Sequence, residues 1–340
     1  MRLVDEDSPD AEWDAFVRSR ADATFFHLAG WRRVISHAFG HSCRHLALRD
    51  GTNLCAVLPL VEIRSRLFGH ALISNAFCVG GGPLAIDAAS REAILGEAAR
   101  IGRELGVDYV ELRDTPSAPA GWRARDDLYA GFEAPIPAAE GDNLKQIPRK
   151  QRAVVRKALE GDFAVAIERS VEPFFSLYSR TMRNHGTPAL PKKFFAELLS
   201  VFGEDCEILT VRRDGRPVSS VLSYYFRDRV LPYYTGSAEE ARATGANDMM
   251  YWSLMRRAAE RSCAVFDFGR SKLGTGPYSF KRNWGFEPRP IVHQYYLAKA
   301  RDLPNVNPTN PRYQLLIGAW RRLPLPLANA LSPLLSRSLG

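Results

Sequence analysis

The sequence predicts a mixed α/β (α+β) protein of two tandem domains, each a twisted mixed sheet flanked by helices. Three observations carry this expectation. At 340 residues the chain exceeds what one hydrophobic core commonly serves. Apolar residues make up 46% and charged residues 25%, which supplies packed cores and is unlike a disordered chain. The order helix, helix, hairpin, strand, glycine-containing bend, helix, strand is read twice, although the residues themselves hardly repeat.

In the first half, Trp13, Phe16 and Val17 mark a helix, and TFFHLAGWRRVISHAF carries apolar residues at helical spacing. HLALRDGTNLCAVLPLVEIRS has strand-like runs on either side of Asp50-Gly51, a dipeptide that tolerates the positive φ of a tight hairpin. ALISNAFCVGGGPLAI reads as a strand entering a glycine-rich bend, Arg91 to Leu105 as an amphipathic helix stopped by Gly106, and VDYVELR as a short strand. The second half begins with helices around Pro173 to Arg183 and Lys192 to Phe202. A hairpin turning at Asp214-Gly215 follows, then the strand VLPYYTG, the helix NDMMYWSLMRRAAERS and the strand AVFDFG. Between the halves, EAPIPAAEGDNLKQIPRKQRAVVRK reads as a proline-rich linker and a basic helix. The boundary is expected near Gly141, giving segments 1–140, 141–300 and a C-terminal extension 301–340.

A net charge of +8 favours anionic partners without choosing among them. The amino terminus carries Asp5, Glu6 and Asp7 and no apolar run, unlike a secretory signal, and no stretch approaches the ~18–20 apolar residues of a membrane span. A cytoplasmic location is expected. Cys43, Cys55, Cys78, Cys206 and Cys263 include no CxxC and are read as reduced. There is no HExxH, no cysteine ligand set and no GxSxG elbow, so metal-free chemistry without a permanently bound cofactor is expected.

The segment FDFGRSKLGTGPYSFKRNWGFEP is the most informative. It concentrates Asp267, Arg270, Lys272 and Lys281 among glycines and aromatics directly after a strand. Through Asp267-Phe-Gly-Arg-Ser-Lys272, Thr275-Gly276, Phe280-Lys281 and Asn283-Trp-Gly-Phe286, the chain resembles the Fem-like (FemAB) acyltransferases of the GNAT superfamily. The likeness is to the branch found beside exopolysaccharide and exosortase (PEP-CTERM) gene clusters. Arg183-Asn-His-Gly-Thr-Pro188, Ala246-Asn-Asp248 and Asn307-Pro-Thr-Asn-Pro311 add to it. The resemblance implies tandem GNAT-like domains, with the active site in the second, and transfer of an acyl or aminoacyl group to an amine on a sugar or peptide precursor.

It further implies that Phe280-Lys281 places an ammonium where negative charge gathers during acyl transfer; the other reading of Lys281 is a solvated lysine beside Arg282. Asp267 suits a general base taking the proton of the attacking amine, or equally an orienting partner for Arg270 or a loop cap. Arg270 and Lys272 are candidate clamps for phosphate or carboxylate. His185 is a candidate acid–base or substrate contact, with a structural role as its alternative. Tyr234 belongs to a set of strand tyrosines read as core, any of which could stack on a sugar or adenine ring. GNAT enzymes bind the donor pyrophosphate at a helix amino terminus, and Arg242, Gly245, Ala246 and Asn247 resemble that loop, except that Asn247 stands where Gly or Ala is usual. A helix cap is the plain alternative. The basic run Lys145, Arg149, Lys150, Arg152, Arg156 and Lys157 is either a contact for tRNA or a nucleotide diphosphate or a solvated helix face.

The expected donor is acyl-CoA or aminoacyl-tRNA, and the expected acceptor is an amino-sugar or peptide precursor, nucleotide- or lipid-linked. The absence of a heptad arm weighs against tRNA. The tail after Ala300, with Trp320, Arg321 and Arg322 among leucines and prolines, either meets a membrane surface or packs back onto the domains. A catalytically silent scaffold that binds glycan precursors or assembly proteins is the alternative to an enzyme.

Overall fold

The computed structural model describes residues 2–5, 9–65, 69–137, 140–304 and 311–338. It divides into two compact units, Met1–Tyr129 with Pro290–Asn307 and Leu334–Gly340, and Ala130–Arg289 with Pro308–Pro333. This division differs from the expected segments 1–140, 141–300 and 301–340, because two strands and the tail are placed by pairing and packing rather than by chain order.

In the first unit, β1 (Arg2–Asp5) precedes α1 (Asp10–Ser19), which buries Trp13 and Val17, and α2 (Gly30–Phe39), which buries Trp31, Val34, Ile35 and Phe39 and stops at Gly40 with φ +71°. The hairpin β2 (Ser42–Asp50) and β3 (Asn53–Ser65) is formed as expected, but it turns at Gly51-Thr52, one residue past the expected Asp50-Gly51, because Asp50 pairs with Asn53. Next come β4 (Gly69–Ser74), β5 (Leu84–Ala85), α3 (Ala88–Leu105), β6 (Tyr109–Leu112) and β7 (Arg123–Arg125). Asp87 caps α3 by accepting from Ser90 N at 2.7 Å, and Gly106 ends it in the left-handed region.

The second unit begins with β8 (Tyr129–Pro135), α4 (Glu140–Gln146) and α5 (Arg149–Leu159). There follow β9 (Ala164–Glu168), α6 (Glu172–His185), α7 (Lys192–Phe202), β10 (Cys206–Arg213), β11 (Arg216–Phe226) and β12 (Arg229–Ser237). The short α8 (Ala241–Thr244) leads through Gly245 into α9 (Ala246–Glu260), β13 (Val265–Lys272), α10 (Gly276–Asn283) and β14 (Pro288–Pro290). Then β15 (His293–Leu297) returns to the first unit, and α11 (Pro311–Arg322) and α12 (Leu325–Ser336) end the chain.

The two sheets run β1-β2-β3-β4-β6-β15-β7, with β5 on β3, and β14-β8-β13-β12-β11-β10-β9. Each mixes antiparallel pairs with a parallel pair near its centre, β4 with β6 and β12 with β13. In both, the crossover between the parallel strands is a helix, α3 or α9. The second core gathers Val155, Leu209, Val221, Met250, Trp252, Phe266, Phe268 and Phe286. Each such side chain contributes about 1.5–3 kcal/mol on burial. On the opposite face, Tyr234 lies 5.2 Å from Phe195 and 6.0 Å from Tyr178, in an aromatic layer beneath α6 and α7.

Candidate active site

β12 and β13 pair only at Arg229 with Val265 and Val230 with Phe266. Past that point they continue to Ser237 and Lys272 as the two sides of a widening gap. A bulge helps to turn β12 away from regular pairing: Leu222 faces Tyr234 and Ser223 faces Pro232, so Tyr233 is the extra residue.

The start of α9 is fixed at the end of β12. Asn247 Oδ1 accepts from Ser219 Oγ on β11 and from Ser237 Oγ on β12, both at 2.8 Å. Gly245 joins the two helices at φ +78°, and a Cβ there would lie 3.1 Å from Ala158 Cβ on α5. The first intrahelical bond runs from Met249 N to Gly245 O at 2.9 Å, so the amides of Ala246, Asn247 and Asp248 precede the helical ladder. Sequence reading placed Gly245, Ala246 and Asn247 at a helix start, and they are there; the Asn247 side chain, however, is committed to the two strands. Arg242 is exposed on α8.

Opposite, Gly269 kinks β13 with φ +67°. Asp267 Oδ1 accepts from Gly269 N at 2.9 Å, and Lys281 Nζ donates to Gly269 O at 3.1 Å and to Arg270 O at 3.0 Å. Lys281 is 9% exposed and lies 5.4 Å from the centre of the Phe132 ring and 5.3 Å from that of Phe268. Lys281 is thus no solvated surface lysine. Burial draws its pKa down to about 7, aided by the Arg270 charge and opposed by Asp267. Burial pushes Asp267 the other way, above the usual carboxylate range, with Glu133 adding to the rise and the Gly269 hydrogen bond, Arg289 and Arg229 opposing it. An ammonium has three donors; two are used here, leaving one N–H for a substrate oxygen.

Arg270 and Lys272 are half-buried along the same strand. Phe280 packs inward, 5.6 Å from Tyr251 and 6.2 Å from Phe268, as part of the core. Trp284 to Phe286 is likewise structural: Trp284 and Phe286 are buried, and a Cβ at Gly285 would lie 2.9 Å from Pro148 Cδ. His185 does not join this group. It sits at the end of α6, where its carbonyl accepts from Arg321 Nη2 at 3.3 Å, and its pKa is lowered by partial desolvation and then by the Arg321 charge. Tyr234 belongs to the aromatic layer under α6 and α7. Residues 307–310 of the Asn307–Pro311 motif lie outside the described residues.

Three site residues were given no role from sequence, although Asp248 stands in the Ala246-Asn-Asp248 match. Tyr251 stacks edge-on at 4.6 Å from Phe268 and hydrogen-bonds Thr235, joining the two sides of the gap, and burial raises its pKa. Asp248 is buried in the first turn of α9, accepts from Gln151, and has its pKa raised by burial. Phe132 comes from β8. An acid in a first helical turn was a usable signal for Asp248; nothing local marks the other two.

Beside α9, α5 buries Val155 and Ala158 and turns Arg149, Arg152, Arg156 and Lys157 outward around a surface hollow of about 660 Å³. Among the described residues no three His, Cys, Asp or Glu side chains gather as metal ligands would.

Two mixed sheets along one chain, each with a parallel strand pair joined through a crossover helix, make a tandem GNAT-type fold. Residues 142–282 match the family model described as acetyltransferase (GNAT) domain. The chain is similar to the crystal structure of FemX, with a TM-score of 0.67 and 16% identity, over 92% of this chain and 100% of that one. It is also similar to a tandem GNAT protein from the clavulanic acid biosynthesis pathway, with a TM-score of 0.56 and 12% identity over 88% of this chain and 100% of that one. L-PGS from Bacillus licheniformis gives a TM-score of 0.53 and 14% identity over 94% and 99%. No curated protein matches the sequence.

Proposed function

We propose that the chain is an N-acyltransferase that moves an acyl or aminoacyl group from acyl-CoA or aminoacyl-tRNA to an amine of an amino-sugar or peptide precursor. The observation that carries this reading is the gap between β12 and β13, with the amides of Ala246 and Asn247, which precede the helical ladder of α9, on one side and Lys281 and Asp267 on the other. The amides and the dipole of α9 suit the donor phosphates. The donor carbonyl then enters the gap, and the acceptor amine attacks its carbon. Asp267 takes the amine proton through the oxygen not bonded to Gly269. The remaining N–H of Lys281 meets the oxyanion, and the tetrahedral adduct collapses by releasing CoA as its thiolate, or the ribose hydroxyl of tRNA once Asp267 returns the amine's proton to the leaving oxygen. Arg270 and Lys272 hold the anionic part of the acceptor. The resemblance at Asp267 to Phe286 supports an acceptor from exopolysaccharide or cell-envelope synthesis, and the basic face of α5 supports a phosphate-bearing substrate.

The test is to incubate purified protein with a panel of acyl-CoAs, and separately with aminoacyl-tRNAs, together with nucleotide-linked amino-sugars and peptide precursors. Mass spectrometry should find an N-acylated product that the Lys281→Met protein forms at least about a hundredfold more slowly. Binding of acceptors with no product from any donor would overturn the reading in favour of a scaffold.

A further inference from the structure

Helix α12 is amphipathic in the reverse sense to a helix that closes a soluble core. Its inward residues are small: Ala328, Ser332 and Ser336 are 1%, 3% and 0% exposed. Its leucines face water: Leu327, Leu331, Leu334 and Leu335 keep 46%, 37%, 67% and 36% of their surface. Their spacing of i, i+4, i+7 and i+8 makes one continuous stripe. The inward face is held by polar contacts, since Ser332 Oγ accepts from Ala189 N at 3.1 Å and donates to Ala328 O at 2.7 Å, and Asn329 Nδ2 donates to Ser179 Oγ at 3.4 Å. The helix is therefore seated, with its apolar side left outward. On α11, Leu316 is also 66% exposed.

Charge identifies what covers the stripe. No Asp or Glu follows Asp302 in the sequence, while Arg321, Arg322 and Arg337 of the same segment are exposed. Exposed apolar side chains in a segment whose charged residues are all arginines match the acyl boundary of a bilayer beneath anionic phosphates. A second copy of this face would bring arginines against arginines. The twelve residues of α12 reach only about 18 Å along the helix, short of the ~30 Å hydrocarbon core, so the helix would lie in the plane of the interface. No helix among the described residues is long and apolar enough to cross a membrane.

We propose that α12 docks the protein onto an anionic lipid surface, its leucines entering the headgroup boundary and Arg322 and Arg337 meeting lipid phosphates. The test is flotation of the full chain with vesicles of phosphatidylcholine alone and of phosphatidylcholine mixed with phosphatidylglycerol, at low and high salt. The protein should float with the anionic vesicles, about tenfold less with neutral ones, and less as salt rises. The variants Leu331→Asp/Leu334→Asp and Arg322→Glu/Arg337→Glu should each lose about tenfold in vesicle binding while keeping the thermal midpoint and gel-filtration volume of the parent. Should the leucine double variant lose its thermal transition, Leu334→Ser at the most exposed position gives the same reading. Failure of the parent to float, flotation unchanged by the leucine substitutions, or a dimer that those substitutions dissociate would each overturn the proposal.

Discussion

At the scale of single residues, burial sets the protonation of the two groups that the proposed reaction needs. Asp267 acts as a base only once ionised, above a pKa that burial has raised; Lys281 stabilises an oxyanion only while charged, below a pKa of about 7. The rate should therefore rise through the acid range and fall again as pH passes about 7. Asp267→Asn should remove the acid limb and Lys281→Met the alkaline limb, as read from kcat/KM against pH; an alkaline limb that survives Lys281→Met would exclude the ammonium. Stability follows the same shifts with opposite signs. Between about 7 and 10.5 the unfolded chain binds a proton at Lys281 that the folded chain does not, so this group adds stability as pH rises through that window. For Asp267 the folded carboxyl holds its proton above the ordinary 3.8, so its contribution falls as pH rises from 3.8 to the raised value. The run Asp267 to Lys281 was legible because its charges and glycines cluster in sequence. Phe132 and Tyr251 were not, because an aromatic residue reads the same in a strand, a helix or a site until its neighbours are known.

At the scale of elements, legibility followed local chemistry. Both hairpins were found through Asp-Gly pairs, and Asp214 and Gly215 do take φ +50° and +74°. α3 was found by its amphipathic spacing and its glycine stop at Gly106. α10 escaped notice, since its eight residues carry a glycine, a proline and two cations and show little periodicity. The close approach of α6 to β12 rests on Gly236. A Cβ there would lie 2.2 Å from Tyr178 N and 2.5 Å from Leu177 C, backbone atoms that cannot swing aside. Gly236→Ala should therefore cost about 3 kcal/mol or more in a denaturation experiment, unlike a surface Gly→Ala change. A midpoint within error of the parent would mean that α6 and β12 pack less tightly than these distances state.

At the scale of the whole molecule, the repeated order of elements made the tandem fold readable, whereas the strand exchange could not be read. Strand β8 lies before Gly141 yet sits between β13 and β14 in the second sheet, and β15 lies after the second unit yet sits between β6 and β7 in the first. Pairing of this kind is non-local: β15 meets β6 at Gln294 with Leu112, and neither segment alone announces its partner. The consequence is testable by cutting the chain where composition suggests. A fragment of residues 141–340 lacks β8, and with it Phe132, which is 1% exposed in the second core and faces the Lys281 ammonium. Removing an interior strand strips β13 of its hydrogen-bonding neighbour on that side and opens a cavity beneath the site, losses that exceed the few kcal/mol by which a domain is stable. The fragment should show no cooperative thermal transition and should bind a hydrophobic dye, and a fragment starting at Phe132 or earlier should recover the transition. A sharp, dye-free transition for residues 141–340 would show that β8 is dispensable, and would return the boundary of the second domain to Gly141.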